Sequence, residues 1–226
     1  MAWHDWAWLA AGMALQTIVV STMLKGAARR YPFVFVHLVF SILLTVTQVS
    51  FGQYFGVKSS QYMRAYWAGD FVGTFLVLMI IIHLIRTAME NHVHRNAVYF
   101  GLLLGVAATA GGVLILRGSR FNLGRWMTEA SRDYYFAAVL LNAVLWCVLM
   151  RTGRLNRQLF LLTSGLGLKL TGAAIAHALR LTGVILLAHQ FLMLTYMLHL
   201  FVWYVALKRL PCAIPAEERI KQVSPV

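Results

Sequence analysis

Acidic side chains are scarce, with seven Asp and Glu among 226 residues. Most of them stand near the ends of apolar runs, so general acid–base chemistry on paired carboxylates has little to draw on. Charge as a whole is thin, at 12% of residues, about half of what a soluble domain carries. There are only two cysteines. Cys147 lies inside an apolar run and Cys212 near the carboxyl end, too far apart to bridge, so no disulfide framework is expected. No GxSxG, HExxH, phosphate-binding loop or dinucleotide fingerprint stands in a suitable context. The chain therefore reads as no enzyme, with no catalytic residue and no metal site. His92 and His94, in the cluster Arg86, Glu90, His92, His94 and Arg95, lack further ligands at metal-site spacing and read as a solvated loop. The start, Met1-Ala-Trp-His-Asp-Trp, has no basic segment ahead of its apolar run, so a cleavable signal peptide is not expected.

What fills the chain instead is apolar. Hydrophobic residues make up 60%, and mean hydropathy is +0.70. Seven runs have spanning length: about Trp6–Leu24, Phe33–Tyr54, Tyr62–Ala88, Ala97–Leu116, Tyr134–Met150, Gln158–Leu179 and Val184–Leu207. Roughly 20 helical residues cross a hydrocarbon core of about 30 Å. The expected fold is an all-α bundle of seven transmembrane helices over residues 1–210, followed by a short cytoplasmic tail, 211–226. Trp3, Trp6 and Trp8 form an interfacial anchor before the first span. Pro32 suits the first turn of the second, and Ser60 is the expected N-cap of the third. Gly101 and Gly105, continued by Ala108 and Gly112, mark span four as a close-packing helix, and spans four and six are expected to pack closest. The stretch from Arg117 to Asp133 reads as an interfacial segment containing a short surface helix.

The net charge of +13 does not point to nucleic acid, because no basic array with interleaved aromatics forms a module. Its basic residues sit in short loops. About twelve Lys and Arg fall on the side of the one–two, three–four and five–six loops and the tail, against about seven on the other side. The positive-inside rule then places the amino terminus outside and the carboxyl terminus in the cytoplasm of a bacterial inner membrane. Expected partners are membrane lipids, anionic headgroups included, and other membrane protein subunits.

One charge breaks the apolar runs near a midplane. Lys169 lies in the middle of span six, where a cation costs on the order of 3 kcal/mol unless it is paired. Gly165, Gly172, Ala173 and Ala176 share its helix and make a small-residue face that suits tight helix contacts. Asp70, about six residues into span three from Arg64, is the expected partner for a buried ion pair. Asn142 and His199 are the other candidates for a polar interior. Two histidine pairs lie at matched depths on consecutive spans, His37 with His83 and His177 with His189. This is the arrangement a bis-histidine b-type haem requires. A retinal Schiff base in span seven is excluded, since that span has no lysine before Lys208.

The segment Arg29-Arg30-Tyr-Pro-Phe-Val-Phe-Val-His37, followed by Tyr62-Met-Arg-Ala-Tyr66-Trp67-Ala-Gly-Asp70, resembles a group of small bacterial seven-helix membrane proteins of acidobacterial type. In that group a Tyr-x-Tyr-Trp-x-x-acid motif opens span three. Here the acid is Asp70 in place of the Glu more usual in the group. The resemblance covers mainly residues 25–90 and implies the seven-helix architecture without an activity. Three functional readings follow, in order. The first is a receptor-like or complex-forming membrane subunit without a cofactor. The second is a small transporter or channel using Asp70 and Lys169. The third is a haem b electron carrier using His37, His83, His177 and His189.

Overall fold

The computed structural model of the chain describes residues 3–89, 96–105, 123–151 and 157–208. Every regular element among them is helical. Helix α1 spans Trp3–Thr22, α2 Pro32–Tyr54, α3 Ser60–Ala88, α4 Asn96–Gly105, α5 Leu123–Arg151, α6 Arg157–Leu181 and α7 Ile185–Lys208. Among the described residues, six helices are long and apolar enough to cross a membrane. The exception is α4, a shorter apolar helix. The second half of the expected fourth span, with Ala108 and Gly112, lies outside the described residues, as do Glu90, His92, His94, Arg95, Cys212 and the tail.

The breaks between helices have local causes. After α1 the chain passes through a wider π-helical turn, Met23–Ala27, in which Gly26 has φ of 130°. A side chain would strain that backbone conformation. Pro32 then opens α2, where its missing N–H costs nothing. The N-cap of α3 is Ser59, not the expected Ser60, since the Ser59 Oγ accepts from the Tyr62 N–H at 3.1 Å. Adjacent serines offer the same hydroxyl, and the extended backbone of Ser59 decides between them. Gly183, with φ of 87°, closes α6. The Val184 N–H reaches back to the Leu179 carbonyl at 3.1 Å, the wrapped ending that a left-handed glycine permits. The segment expected as a separate surface helix is different too. From Leu123 onward it is the continuous first part of α5, a 29-residue helix.

The long helices are arranged as a ring. The closest partnership is α6 with α7, followed by α5 with α6. Contacts of α2 with α3, of α3 with α5, of α1 with α7 and of α1 with α2 complete the circuit. Small residues set the α6–α7 approach, as the sequence implies: Gly165, Gly172, Ala173 and Ala176 are all buried. A Cβ at Gly172 would collide with the Thr195 side chain, and one at Gly165 would lie 2.7 Å from the Trp203 ring. By contrast, Gly101 and Gly105 of α4 are exposed, and among the described residues the closest partner of α6 is α7.

The two ends of the bundle are built differently. Toward the carboxyl end of α1, α3, α5 and α7 the interior is a filled apolar core. Val19, Leu38, Ile81, Leu145, Leu166 and Trp203 are among its members, each with 1% or less of its surface accessible. At the opposite end, where α1, α3, α5 and α7 begin, the interior is open.

Candidate functional site

That open end holds a cavity of about 830 Å³. Its wall comes from α1 through Gly12 and Gln16, from α2 through Ser41, Thr45 and Gln48, and from α7 through residues between Ile185 and Met197. Asp70 of α3, Tyr135 of α5, and Lys169 and Ala173 of α6 complete it. Most of the lining is apolar, and the polar groups are few and placed on different helices. Their local hydrogen bonding follows from the apolar helices that carry them. Thr45 Oγ1 donates to the Ser41 carbonyl at 2.8 Å, and Thr195 Oγ1 to the Phe191 carbonyl at 2.9 Å. A hydroxyl satisfied by its own helix can face an apolar space at little cost.

Lys169 stands at the inner end of the cavity, where the filled core begins. Its Nζ is hydrogen-bonded to His37 Nε2 across the ring from α6 to α2. With the lysine as an ammonium, which has only donors, this bond uses the Nε2 lone pair and assigns the imidazole proton to Nδ1. The His37 Nδ1 has no protein partner. His199 lies in the same region. Its Nδ1 is 2.7 Å from the Tyr196 carbonyl, and its Nε2 is buried without a partner. The Trp203 ring is edge-on to both imidazoles, at 4.9 Å from His199 and 6.5 Å from His37. Lysine, two histidines and a tryptophan therefore form one layer between cavity and core.

Asp70 belongs to the cavity wall and not to that layer. Its Oδ2 accepts from the Ser131 hydroxyl at 2.5 Å, an α3–α5 contact. No ion pair joins Asp70 to Lys169 among the described residues, so the expected salt bridge is replaced by two bonds to neutral partners. Nearby, Arg180 Nη1 donates to the Tyr66 hydroxyl at 3.1 Å.

The remaining expected site residues are dispersed. Asn142 is buried between α5 and α6, where its Nδ2 lies beside Gly167 and its Oδ1 has no partner. It does not line the cavity. His83 Nε2 is 3.4 Å from the Arg30 carbonyl, and its ring meets Phe33 at 5.4 Å. His177 stacks on Tyr135 at 5.3 Å with the planes 23° apart. His189 lines the cavity. A bis-histidine haem site needs two imidazoles aimed at one iron, one from each side. Here His37 is held by Lys169, His83 by the Arg30 backbone and His177 by Tyr135. Only His189 faces open space, so the residues present do not fit that group.

Residues outside the expected set complete the site. Gln16 and Tyr196 are hydrogen-bonded to each other and tie α1 to α7 along the wall. The sequence does mark Gln16, the one strongly polar residue inside the run Trp6–Leu24. Ser131 gave no such signal, since it reads as part of a loop until α5 is seen to begin at Leu123. No family model, no curated protein and no solved structure matches the chain.

Proposed function

We propose that the chain is a seven-span protein of a bacterial inner membrane, amino terminus outside, which binds a small molecule in the cavity and acts as a receptor-like or complex-forming subunit without catalysis of its own. The observation that carries this reading is the asymmetry of the bundle: one end is a mostly apolar cavity with a few polar groups converging on it, and the other is filled. Binding sites for small molecules are commonly concave and apolar with a few placed polar groups, at 300–1,000 Å³. A ring closed by α1 against α7 holds such a space between helices rather than on a surface. The filled core beneath Lys169 favours one-sided binding over passage, which places the transporter reading second. The resemblance of residues 25–90 to the acidobacterial-type group and the basic asymmetry of the loops support the location and the seventh span.

A neutral phenyl diazirine photoprobe tests the cavity reading. With protein in lipid nanodiscs, cross-links are expected at cavity residues such as Met13, Leu192 and Met193, and Thr45→Trp, which narrows the space from the α2 wall, is expected to reduce them. Labelling confined to outward residues such as Leu43 and Phe75, unchanged by Thr45→Trp, is the outcome that ends this reading.

A further inference from the structure

Two side chains of opposite charge line one cavity without touching each other. Asp70 is held by the hydroxyl of Ser131 and Lys169 by the imidazole of His37. Both remain partly accessible, and both face the cavity. A carboxylate can accept about four hydrogen bonds and an ammonium can donate three. The two contacts named use one from each, which leaves capacity directed at the open space. A charge left uncompensated in a poorly solvated interior is costly, and a counter-charge lowers that cost. Here they do not pair, and each is braced by a neutral group from another helix, Asp70 by Ser131 of α5 and Lys169 by His37 of α2.

We propose that the cavity takes an apolar zwitterion, with its ammonium group toward Asp70 and its carboxylate toward Lys169; this rests on the ligand-binding reading above. Such a molecule supplies each wall charge with its counter-charge and closes the circuit that the protein leaves open. A simple anion would satisfy Lys169 and be repelled by Asp70, and a simple cation would do the reverse. The rest of the cavity sets the body of the ligand. Leu9, Leu44, Leu192 and Met193 offer apolar wall, and Met side chains adapt to varied shapes. A free amino acid with a large hydrocarbon side chain has this chemistry. Gln48 and Thr45 stand in the wall as neutral groups able to meet a carboxylate oxygen or an ammonium hydrogen.

The test uses the full chain in nanodiscs and reads its thermal midpoint against six probes. Phenylalanine, phenylpropanoate and phenylethylamine share one body, and aminooctanoate, octanoate and octylamine share another. In at least one series, the zwitterion is expected to raise the midpoint at concentrations tenfold or more below those needed for the matching acid or amine. Asp70→Asn should erase the advantage over the acid, and Lys169→Met the advantage over the amine. Should either variant fail to fold, the six probes on the parent protein still decide. An acid or amine as effective as its zwitterion overturns the proposal. So does silence from all six probes. If the diazirine probe still labels the cavity in that case, the binding reading stands and only the zwitterion is lost. If it does not, both fall.

Discussion

The indole N–H of Trp203 donates to the Leu162 carbonyl at 2.9 Å and fixes α7 against α6 directly under the cavity. The approach is close because position 165 has no side chain. A Cβ there would stand 2.7 Å from Trp203 Cδ1 and 3.3 Å from the His199 carbonyl oxygen. The ring is fully buried and has no free direction in which to retreat. Gly165→Leu is therefore expected to lower stability by about 1–3 kcal/mol, the usual cost of overpacking a filled interior. Reversible unfolding in mixed micelles would measure it. A variant as stable as the parent would show that α6 and α7 do not meet on this face.

Lys169 and His37 should be energetically coupled. His37→Leu leaves a buried ammonium without its hydrogen-bond acceptor, and Lys169→Met leaves an imidazole nitrogen unpaired. A hydrogen bond to a charged group contributes about 1.5–3 kcal/mol, so the double variant should lose less than the sum of the singles by an amount of that order. The corresponding cycle for Asp70→Asn and Lys169→Met should show a smaller coupling, since no ion pair joins those two. A larger Asp70–Lys169 coupling would restore the direct salt bridge and refute this arrangement.

The start of α3 offers a local check. Ser59→Ala removes the acceptor of the Tyr62 N–H and should cost about 0.5–2 kcal/mol, the range for a lost N-cap. Ser60→Ala, one residue inside the helix, should change stability by less than half as much. Equal effects from the two would mean that the cap is shared or misplaced by one residue.

The helices were legible because long apolar runs separated by Gly, Pro and basic residues leave few other folds open, and six of the seven expected spans coincide with long helices. Lys169 was legible for a related reason, since a lone cation in an apolar run has to be accommodated by the interior. Its partner was not. Asp70 and Lys169 have compatible depths, but depth along a helix does not fix the direction in which a side chain points. Rotation of α2 brings His37 to the lysine, and rotation of α5 brings Ser131 to the aspartate. Tyr135 and His177 show the same limit. Their positions along α5 and α6 could be estimated, while the stacking of their rings depends on how the two helices face each other. The cavity was illegible altogether, because a void is a property of the space between helices and no residue pattern encodes it directly.

Orientation yields the last prediction. Lys25, Arg29, Arg30, Arg86, Arg151, Arg157 and Lys208 stand at the end of the bundle that carries the filled core, whereas Lys58, Arg64, Arg180 and, by their place in the first part of α5, Arg125 and Arg132 stand at the end with the cavity. Basic residues in short loops are retained on the cytoplasmic side. The filled end should accordingly face the cytoplasm and the cavity the periplasm. A fluorescent-protein fusion after the carboxyl end should be bright, since that reporter folds in the cytoplasm, while an alkaline phosphatase fusion at the same place should be inactive. Reporters at the amino end should give the reverse. The dependence on charge can be tested within one molecule. Neutralising Lys25, Arg29 and Arg30 together should divert a measurable fraction of chains to the inverted orientation, because that short connection carries the first basic cluster the insertion machinery meets. An active phosphatase after the carboxyl end of the unaltered chain would reverse the assignment and turn the cavity toward the cytoplasm.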